Sequence, residues 1–209
     1  MTELKMTKNE LRMQQTKLNQ LFKYLPTLQL KKALLQAEVA EARLERYGCE
    51  EQLDIEKRQV EEFASLFTES LPIDIVQFAK ITKVIKRFEN IAGAEVPYFE
   101  AVTFPDITYD LFDTPIWLEG AVKGLRQVAE AKVKLLIAEE KLTILEKELR
   151  EVTIRVNLFE KILIPRAQKN IKKIKVFLGD QQLAAVSQAK VAKAKILERK
   201  MAREAQYAI

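Results

Sequence analysis

An apolar side chain recurs every seven residues through the C-terminal half of the chain, and this repeat restricts the fold more than any other feature of the sequence. One series comprises Leu135, Leu142, Leu149, Val156 and Leu163, and a parallel series comprises Ala138, Leu145, Val152 and Phe159. Apolar residues that repeat every 3.5 positions keep one stripe of a helix against a partner helix. The repeat therefore predicts one half of a coiled coil.

The N-terminal end of the chain carries a matching repeat. One series comprises Leu4, Leu11, Leu18 and Leu25, and the other comprises Leu21, Leu28, Leu35 and Ala42. Because both halves of a coiled coil lie in one chain, we expect the two helices to pair as a long antiparallel hairpin.

Residues that interrupt helices are concentrated between the two repeats. Seven of the eleven Gly and Pro residues lie from Pro72 to Gly124. We therefore expect a mainly α fold, an antiparallel two-helix coiled coil with a short β-hairpin and loops in the middle of the chain. The predicted divisions are an N-terminal helix in 1–70, a central segment in 71–119 and a C-terminal helix in 120–209.

The central segment has the composition of a hairpin between about residues 81 and 104. The run 81–88 is rich in β-branched and aromatic residues, and Ala92-Gly93-Ala94 separates it from a second such run. A two-stranded hairpin is marginally stable in water by itself. We expect it to pack against the helices or against a partner protein.

Three positions inside the predicted helices are expected to disturb them. Pro26 and Pro165 each remove a backbone hydrogen bond, and because the apolar pattern continues beyond both we expect kinks rather than ends. Gly179 is a further point at which the second helix could pause.

The composition indicates a coiled coil with solvated outer faces. Charged residues make up 31% of the chain, and no apolar run approaches the length of a membrane span. The first residues have no signal-peptide core, so we expect a cytosolic protein. The single cysteine, Cys49, continues the series that contains Leu35 and Ala42, which favours a small buried residue.

Charge is divided unevenly along the sequence. Residues 165–209 hold eleven Lys or Arg against three acids, residues 1–35 hold seven against two, and 36–164 carry a net charge of −8. An antiparallel hairpin would join both basic termini at one end. The cations that we expect to meet a partner are Lys190, Lys193, Lys195, Arg199 and Lys200. Nucleic acid is disfavoured because no aromatic interleaving or known nucleic-acid motif accompanies them, whereas a protein of complementary charge fits.

The residues needed for chemistry are missing from the sequence. Histidine is absent, no phosphate-cradling glycine motif is present, and Glu139, Glu140, Glu146 and Glu148 alternate with lysines as on a solvated helix face. We expect no enzymatic site, no metal and no cofactor.

Two segments resemble a known family. The run Arg155-Val156-Asn157-Leu158-Phe159-Glu160-Lys161-Ile162-Leu163-Ile164-Pro165-Arg166 resembles the R-V-N-x-x-E-x-x-I-I-P-R stretch of the D subunits of V-type and archaeal A-type rotary ATPases. The run from Asn90 to Glu100 resembles that family's N-V-A-G-V-x-x-P-x-F-E hairpin motif. The matched motif positions are Arg155, Asn157, Glu160, Pro165, Arg166, Asn90, Gly93 and Pro97.

The resemblance implies a rotor axle without catalytic residues. In such a machine the paired termini enter the bore of a hexamer of catalytic A and B subunits, the F subunit binds the side, and the far end meets the membrane-rotor adaptor. The hairpin would protrude and modulate activity. The complex is membrane-bound and the axle is peripheral to the membrane on its cytoplasmic side. The alternative is a scaffold or membrane-associated coiled coil, which would be expected to self-associate.

Overall fold

The computed structural model describes residues 4–62, 77, 79–106, 115 and 117–207, with side chains to Met201. The elements, in chain order, are α1 (Lys8–Glu62), β1 (Lys83–Ile91), β2 (Ala94–Thr103), α2 (Trp117–Leu158), a π-helical turn (Phe159–Leu163) and α3 (Ile164–Tyr207). The predicted fold class, a mainly helical coiled coil with a short β-hairpin, is confirmed. The predicted extension of the first helix to residue 70 falls outside the described residues.

Helix α1 begins at a side-chain cap and continues through its proline. The Thr7 hydroxyl accepts a hydrogen bond from the Glu10 backbone N–H at 3.3 Å, which satisfies a donor that the first turn leaves unpaired. Pro26 lies inside the helix without ending it, and the Thr27 hydroxyl donates to the Tyr24 carbonyl at 2.7 Å.

The chain forms two compact units. The central unit is Gln29–Ile154, and the terminal unit joins Met1–Leu28 to Arg155–Ile209. Each unit therefore contains parts of two long helices, and the central unit also contains the hairpin.

The helices of the central unit run antiparallel. Arg43 of α1 forms an ion pair with Glu146 of α2 at 2.6 Å, whereas Val60, later on α1, lies 3.0 Å from the point where a Cβ would be on Gly124. Later positions on α1 thus meet earlier positions on α2, as the paired repeats predicted.

In the central unit, one of the two predicted series on α2 is the more deeply buried. Ala138, Leu145 and Val152 are buried, and they pack in the unit whose α1 side chains Leu35, Val39, Ala42 and Leu53 are also buried. Leu135, Leu142 and Leu149 are half-buried, since their row is offset by about 40–60° around the helix from the buried row and lies at the edge of the interface. Val156, the next member of their row, is buried in the terminal unit, where Phe159 of the other row is half-buried. On α1, Leu11, Leu18 and Leu28 are half-buried as well, and Cys49 is half-buried rather than fully buried.

The hairpin closes through a two-residue turn. Ile91 pairs with Ala94, and the intervening Ala92 and Gly93 have φ values of 50° and 88°, the combination that a type I′ turn requires. The Asn90 carboxamide oxygen accepts a hydrogen bond from the Gly93 backbone N–H at 2.8 Å. The pairing shifts between Ile85 and Lys86, which leaves one extra residue in β2 as a bulge.

A π-helical turn accommodates Pro165 in the terminal unit. The Ile164 N–H donates to the Phe159 carbonyl, five residues earlier, immediately before the proline. Because Pro165 has no N–H and its ring crowds the preceding turn, a locally wider helix relieves the conflict. Beyond it α3 continues through Gly179, so the pause expected there does not occur.

Candidate interaction sites

The last part of α3 whose side chains the structure describes is exposed to solvent on every face. No residue from 180 to 201 is buried or even half-buried, and the fully buried residue nearest to this stretch is Ile174. The five predicted contact cations, Lys190, Lys193, Lys195, Arg199 and Lys200, all lie here and are exposed. We name residues 180–201 the basic tail.

The basic tail also has an apolar stripe. Leu183, Val186, Leu197 and Met201 fall within about 60° of one another at about 100° per residue, and each is more than half exposed. A helix that presents an apolar stripe and many cations to solvent can bury the first and neutralise the second only against another surface.

A second candidate site is a groove beside the π-helical turn. It has a volume of about 540 Å³ and is lined by residues of both chain segments of the terminal unit: Leu4, Lys5, Glu10, Gln14, Lys17, Leu163, Arg166, Ala167 and Asn170. Glu10 is the single acid, and it accepts a hydrogen bond from the Gln14 carboxamide at 2.9 Å. Three cations therefore dominate the groove, which suits it to a carboxylate.

The family-like motif around Pro165 lies in this part of the molecule. Arg166 lines the groove, Asn157 is half-buried, and Arg155, Glu160 and Pro165 are exposed. The hairpin motif has structural roles, since Asn90 and Gly93 form the turn and Pro97 is buried in β2. The motif around Pro165 belongs to the terminal unit and the hairpin motif to the central unit.

A buried lysine fastens the hairpin to the helices of the central unit. Lys141 of α2 is 6% exposed, its ammonium lies 2.7 Å from a carboxylate oxygen of Glu45 on α1, and it stands 4.1 Å from the ring centroid of Tyr98 on β2. Burial alone lowers the pKa of Lys141, but the contacts with Glu45 and Tyr98 outweigh it and raise this pKa above its ordinary value. The cation therefore stays charged while it joins three elements.

Three further contacts follow β2 along α2. Lys134 stands 5.0 Å from the ring centroid of Phe99, and Arg126 stands 5.1 Å from that of Phe104. Arg126 also donates to the Pro105 carbonyl at 2.6 Å. Lys86 of β1 adds an ion pair with Glu140 at 2.5 Å.

The order of these contacts shows that β2 lies lengthwise on α2. The eight residues from Arg126 to Lys134 span about 12 Å of helix, and the five from Phe99 in β2 to Phe104 just beyond it span about 17 Å of extended chain. The hairpin contacts the helices, which is one of the two supports expected for a marginally stable hairpin. The protrusion and the modulating role that the family resemblance implies stay predictions. The sequence did not indicate a role for Lys141, because a lysine on a helix is typically solvated and its aromatic partner Tyr98 lies far away in the chain.

Two features of the described residues concern metal binding and thiol chemistry. Within them, no three His, Cys, Asp or Glu side chains are placed to hold a metal ion. Burial, reinforced by Glu45, raises the pKa of the Cys49 thiol, and Lys134 opposes this shift only in part. The thiol therefore stays protonated near neutral pH. Within the same residues, no helix is long and apolar enough to cross a membrane.

A paired-helix scaffold with a fastened hairpin and an exposed basic tail is typical of a coiled-coil protein that acts through contacts with other proteins. The family model for the ATP synthase D subunit matches residues 10–194. The chain is 44% identical over 200 residues to the V-type ATP synthase D subunit of Chlamydia abortus, covering 95% of this chain and 96% of the relative. It is 45% identical over 199 residues to that of Chlamydia pneumoniae, covering 95% of each. The chain belongs to the ATP synthase D subunit family.

Proposed function

We propose that this chain is the central-stalk rotor component of a V/A-type ATPase or ATP synthase. In this role it couples ATP synthesis or hydrolysis in a hexamer of A and B subunits to ion translocation by rotation. It contributes no catalytic residue. Its further partners are the F subunit and a membrane-rotor adaptor, and it is peripheral to the membrane.

The observation that carries the proposal is the basic tail. A helix of this length with no buried side chain is marginal in water. Enclosure by a ring of subunits would cover its apolar stripe and place acidic groups near Lys190, Lys193 and Arg199. A shaft held in such a bore presents a different face to each surrounding interface, so it can shift the conformations of those interfaces unequally as it turns.

The coupling role also needs a shaft that transmits torque. Continuous packing between two helices makes their pair stiffer than either helix alone, and the ion pair between Arg43 and Glu146 adds a lateral link in the central unit. Polar substitutions at Leu142, Leu149 and Val156 should therefore soften the shaft and uncouple rotation from hydrolysis before they abolish hydrolysis.

The first test removes charge from the basic tail. We expect glutamine at Lys190, Lys193, Lys195, Arg199 and Lys200 together to weaken insertion into the hexamer and to lower coupled ATPase activity. The matched control places glutamine at Lys169, Lys172, Lys173 and Lys175, which are exposed cations on the part of α3 that packs in the terminal unit. Unchanged assembly and unchanged coupled activity in the tail variant would contradict the proposal.

The second test identifies the proteins that bind this chain. A tagged chain recovered from native membranes should bring A and B subunits with it. Recovery of self-oligomers alone would favour the scaffold alternative.

A further inference from the structure

The π-helical turn shifts the buried row of the terminal unit by one residue. Val156 belongs to one heptad series, but the next buried position, Ile164, follows it after eight residues, and Ile171 then follows after seven. Unbroken heptads would instead place Arg166 and Asn170 against α1. Because one residue corresponds to about 100° of helix, the extra residue of the turn moves these two polar side chains to the border of the interface.

The groove beside the turn collects cations that have no acidic partner. Lys5 precedes α1, Lys17 lies on α1 and Arg166 lies on α3. Among the ion pairs of the described residues, none includes any of these three. The acid of the groove, Glu10, is hydrogen-bonded to Gln14. The groove therefore keeps a net positive charge that a bound anion would neutralise.

The cations are spread along the groove rather than gathered at one point. The lining residues from Glu10 to Lys17 and from Leu163 to Asn170 each cover seven residues, about 10 Å of helix. A single carboxylate meets only some of these cations, whereas an oligophosphate carries several anionic groups in a row. Arginine binds phosphate oxygens through two parallel N–H groups, and lysine binds them as a point charge.

We propose that this groove binds a linear oligophosphate, either an inorganic chain or the phosphate chain of a nucleoside triphosphate. Arg166 binds the chain between Lys5 and Lys17, and the Asn170 carboxamide donates to it. The volume of about 540 Å³ is that of a small-molecule site. Because the ligand contacts α1 and α3 together, its binding stabilises the terminal unit. The site lies within one chain, so its occupancy does not depend on the rotor role.

Titration calorimetry of the full chain with inorganic tripolyphosphate tests the site. We expect saturable binding of one molecule per chain. Arg166→Gln should weaken this binding at least about tenfold, because hydrogen bonds to a charged group are lost. The matched control is Lys172→Gln, an exposed lysine of α3 that lies about 120° around the helix from Arg166. It loses the same charge and should change the affinity less than about twofold, because salt screens a distant charge.

A second pair of variants repeats the comparison on α1. Lys17 and Lys23 are both exposed, but only Lys17 lines the groove. Lys17→Gln should therefore weaken tripolyphosphate binding about threefold or more, and Lys23→Gln should not. Equal weakening by the groove variants and their controls would assign binding to the net charge of the chain and overturn the proposal. Absence of saturable binding to the natural chain would overturn it as well.

Hydrogen exchange shows where the anion binds. Tripolyphosphate should slow the exchange of amides in 10–17 and 166–171 at least about twofold and leave those around Leu145 unchanged. Slowing confined to residues 190–200 would place the anion on the exposed cations of the basic tail and overturn the proposal.

Competition against tripolyphosphate distinguishes the two sources of the phosphate chain. Displacement by ATP at a similar concentration supports a nucleoside triphosphate as the ligand, and displacement by longer inorganic polyphosphate but not by ATP supports the inorganic chain. Equal displacement by sulfate at matched ionic strength would mean an adventitious ion only and would overturn the proposal.

Discussion

The central unit buries Leu35 and Leu145 completely and joins its helices by ion pairs, whereas α3 of the terminal unit has no fully buried residue among 175–201, the last part of it whose side chains the structure describes. Their charges differ in sign. Residues 1–28 and 155–209 together hold 18 Lys or Arg against 6 acids, a net charge of +12, and residues 29–154 hold 17 against 24, a net charge of −7. An apolar stripe on a helix is thus packed against a partner helix in the central unit, whereas the stripe of the basic tail in the terminal unit is exposed. In this chain, therefore, burial of a segment follows the partners available to it rather than its apolar content.

The largest contrast should appear in hydrogen exchange of the isolated chain. Amides of residues 183–200 should exchange with protection below about 10², whereas amides around Leu145 should exceed 10³, because opening the unpartnered helix disturbs no core. Exchange monitored by mass spectrometry measures both regions in one sample. Equal protection of the two would show that the basic tail has a partner in the isolated chain.

Removing core volume from the central unit should be costly. Leu145→Ala should lower the free energy of unfolding by about 2–5 kcal/mol, because a fully buried leucine leaves a cavity. Ile154→Ala, on the same helix but 59% exposed, should change it by less than about 0.5 kcal/mol. Urea denaturation followed by circular dichroism provides both values, and similar losses would mean that Leu145 does not lie at the centre of the interface.

Breaking the fastening of the hairpin should have a smaller effect. Lys141→Met keeps most of the packing but removes the charge between Glu45 and Tyr98, and we expect a loss of about 1–2 kcal/mol. In a double-mutant cycle that combines Lys141→Met with Tyr98→Leu, the coupling free energy should be about 0.5–1.5 kcal/mol. Lys147→Met, an exposed lysine of the same helix, is the control and should show no coupling with Tyr98→Leu.

The pH dependence of this fastening follows from the direction of the shift. The pKa of Lys141 is raised in the folded chain, so its stabilisation is complete below the ordinary value of 10.5 and is lost as the pH rises through the higher folded value. A difference in stability between the natural chain and Lys141→Met that stays constant from pH 6 to pH 9 is therefore expected. A change within that interval would assign the effect to another group.

The smallest effect concerns the hairpin turn. Ala92 has a φ of 50°, a conformation that costs a residue with a Cβ about 1 kcal/mol, so Ala92→Gly should stabilise the chain by up to about 1 kcal/mol. Ala101→Gly, within β2, should destabilise it by about 0.5–1 kcal/mol. Thermal unfolding of the two variants compares the positions, and destabilisation by Ala92→Gly would mean that the methyl group makes a contact that outweighs the strain.

The sequence determined the pairing of two long helices, the position of the hairpin and the contrast of charge. Heptad spacing, glycine and proline placement and net charge are local properties, so they can be read without coordinates. The two motif segments also indicated the family that the comparisons then established.

Which apolar rows are buried and which are exposed depends on the three-dimensional packing of the chain. Leu145 and Leu142 have the same spacing, yet one is buried and the other half-buried, and Leu44 is exposed despite being apolar. The burial of Lys141 depends on Glu45 and Tyr98, which are 96 and 43 residues away in the chain. The heptad pattern likewise did not predict the π-helical turn before Pro165. A side chain's environment is set by neighbours distant in sequence, and periodicity specifies direction around a helix without specifying what lies in that direction.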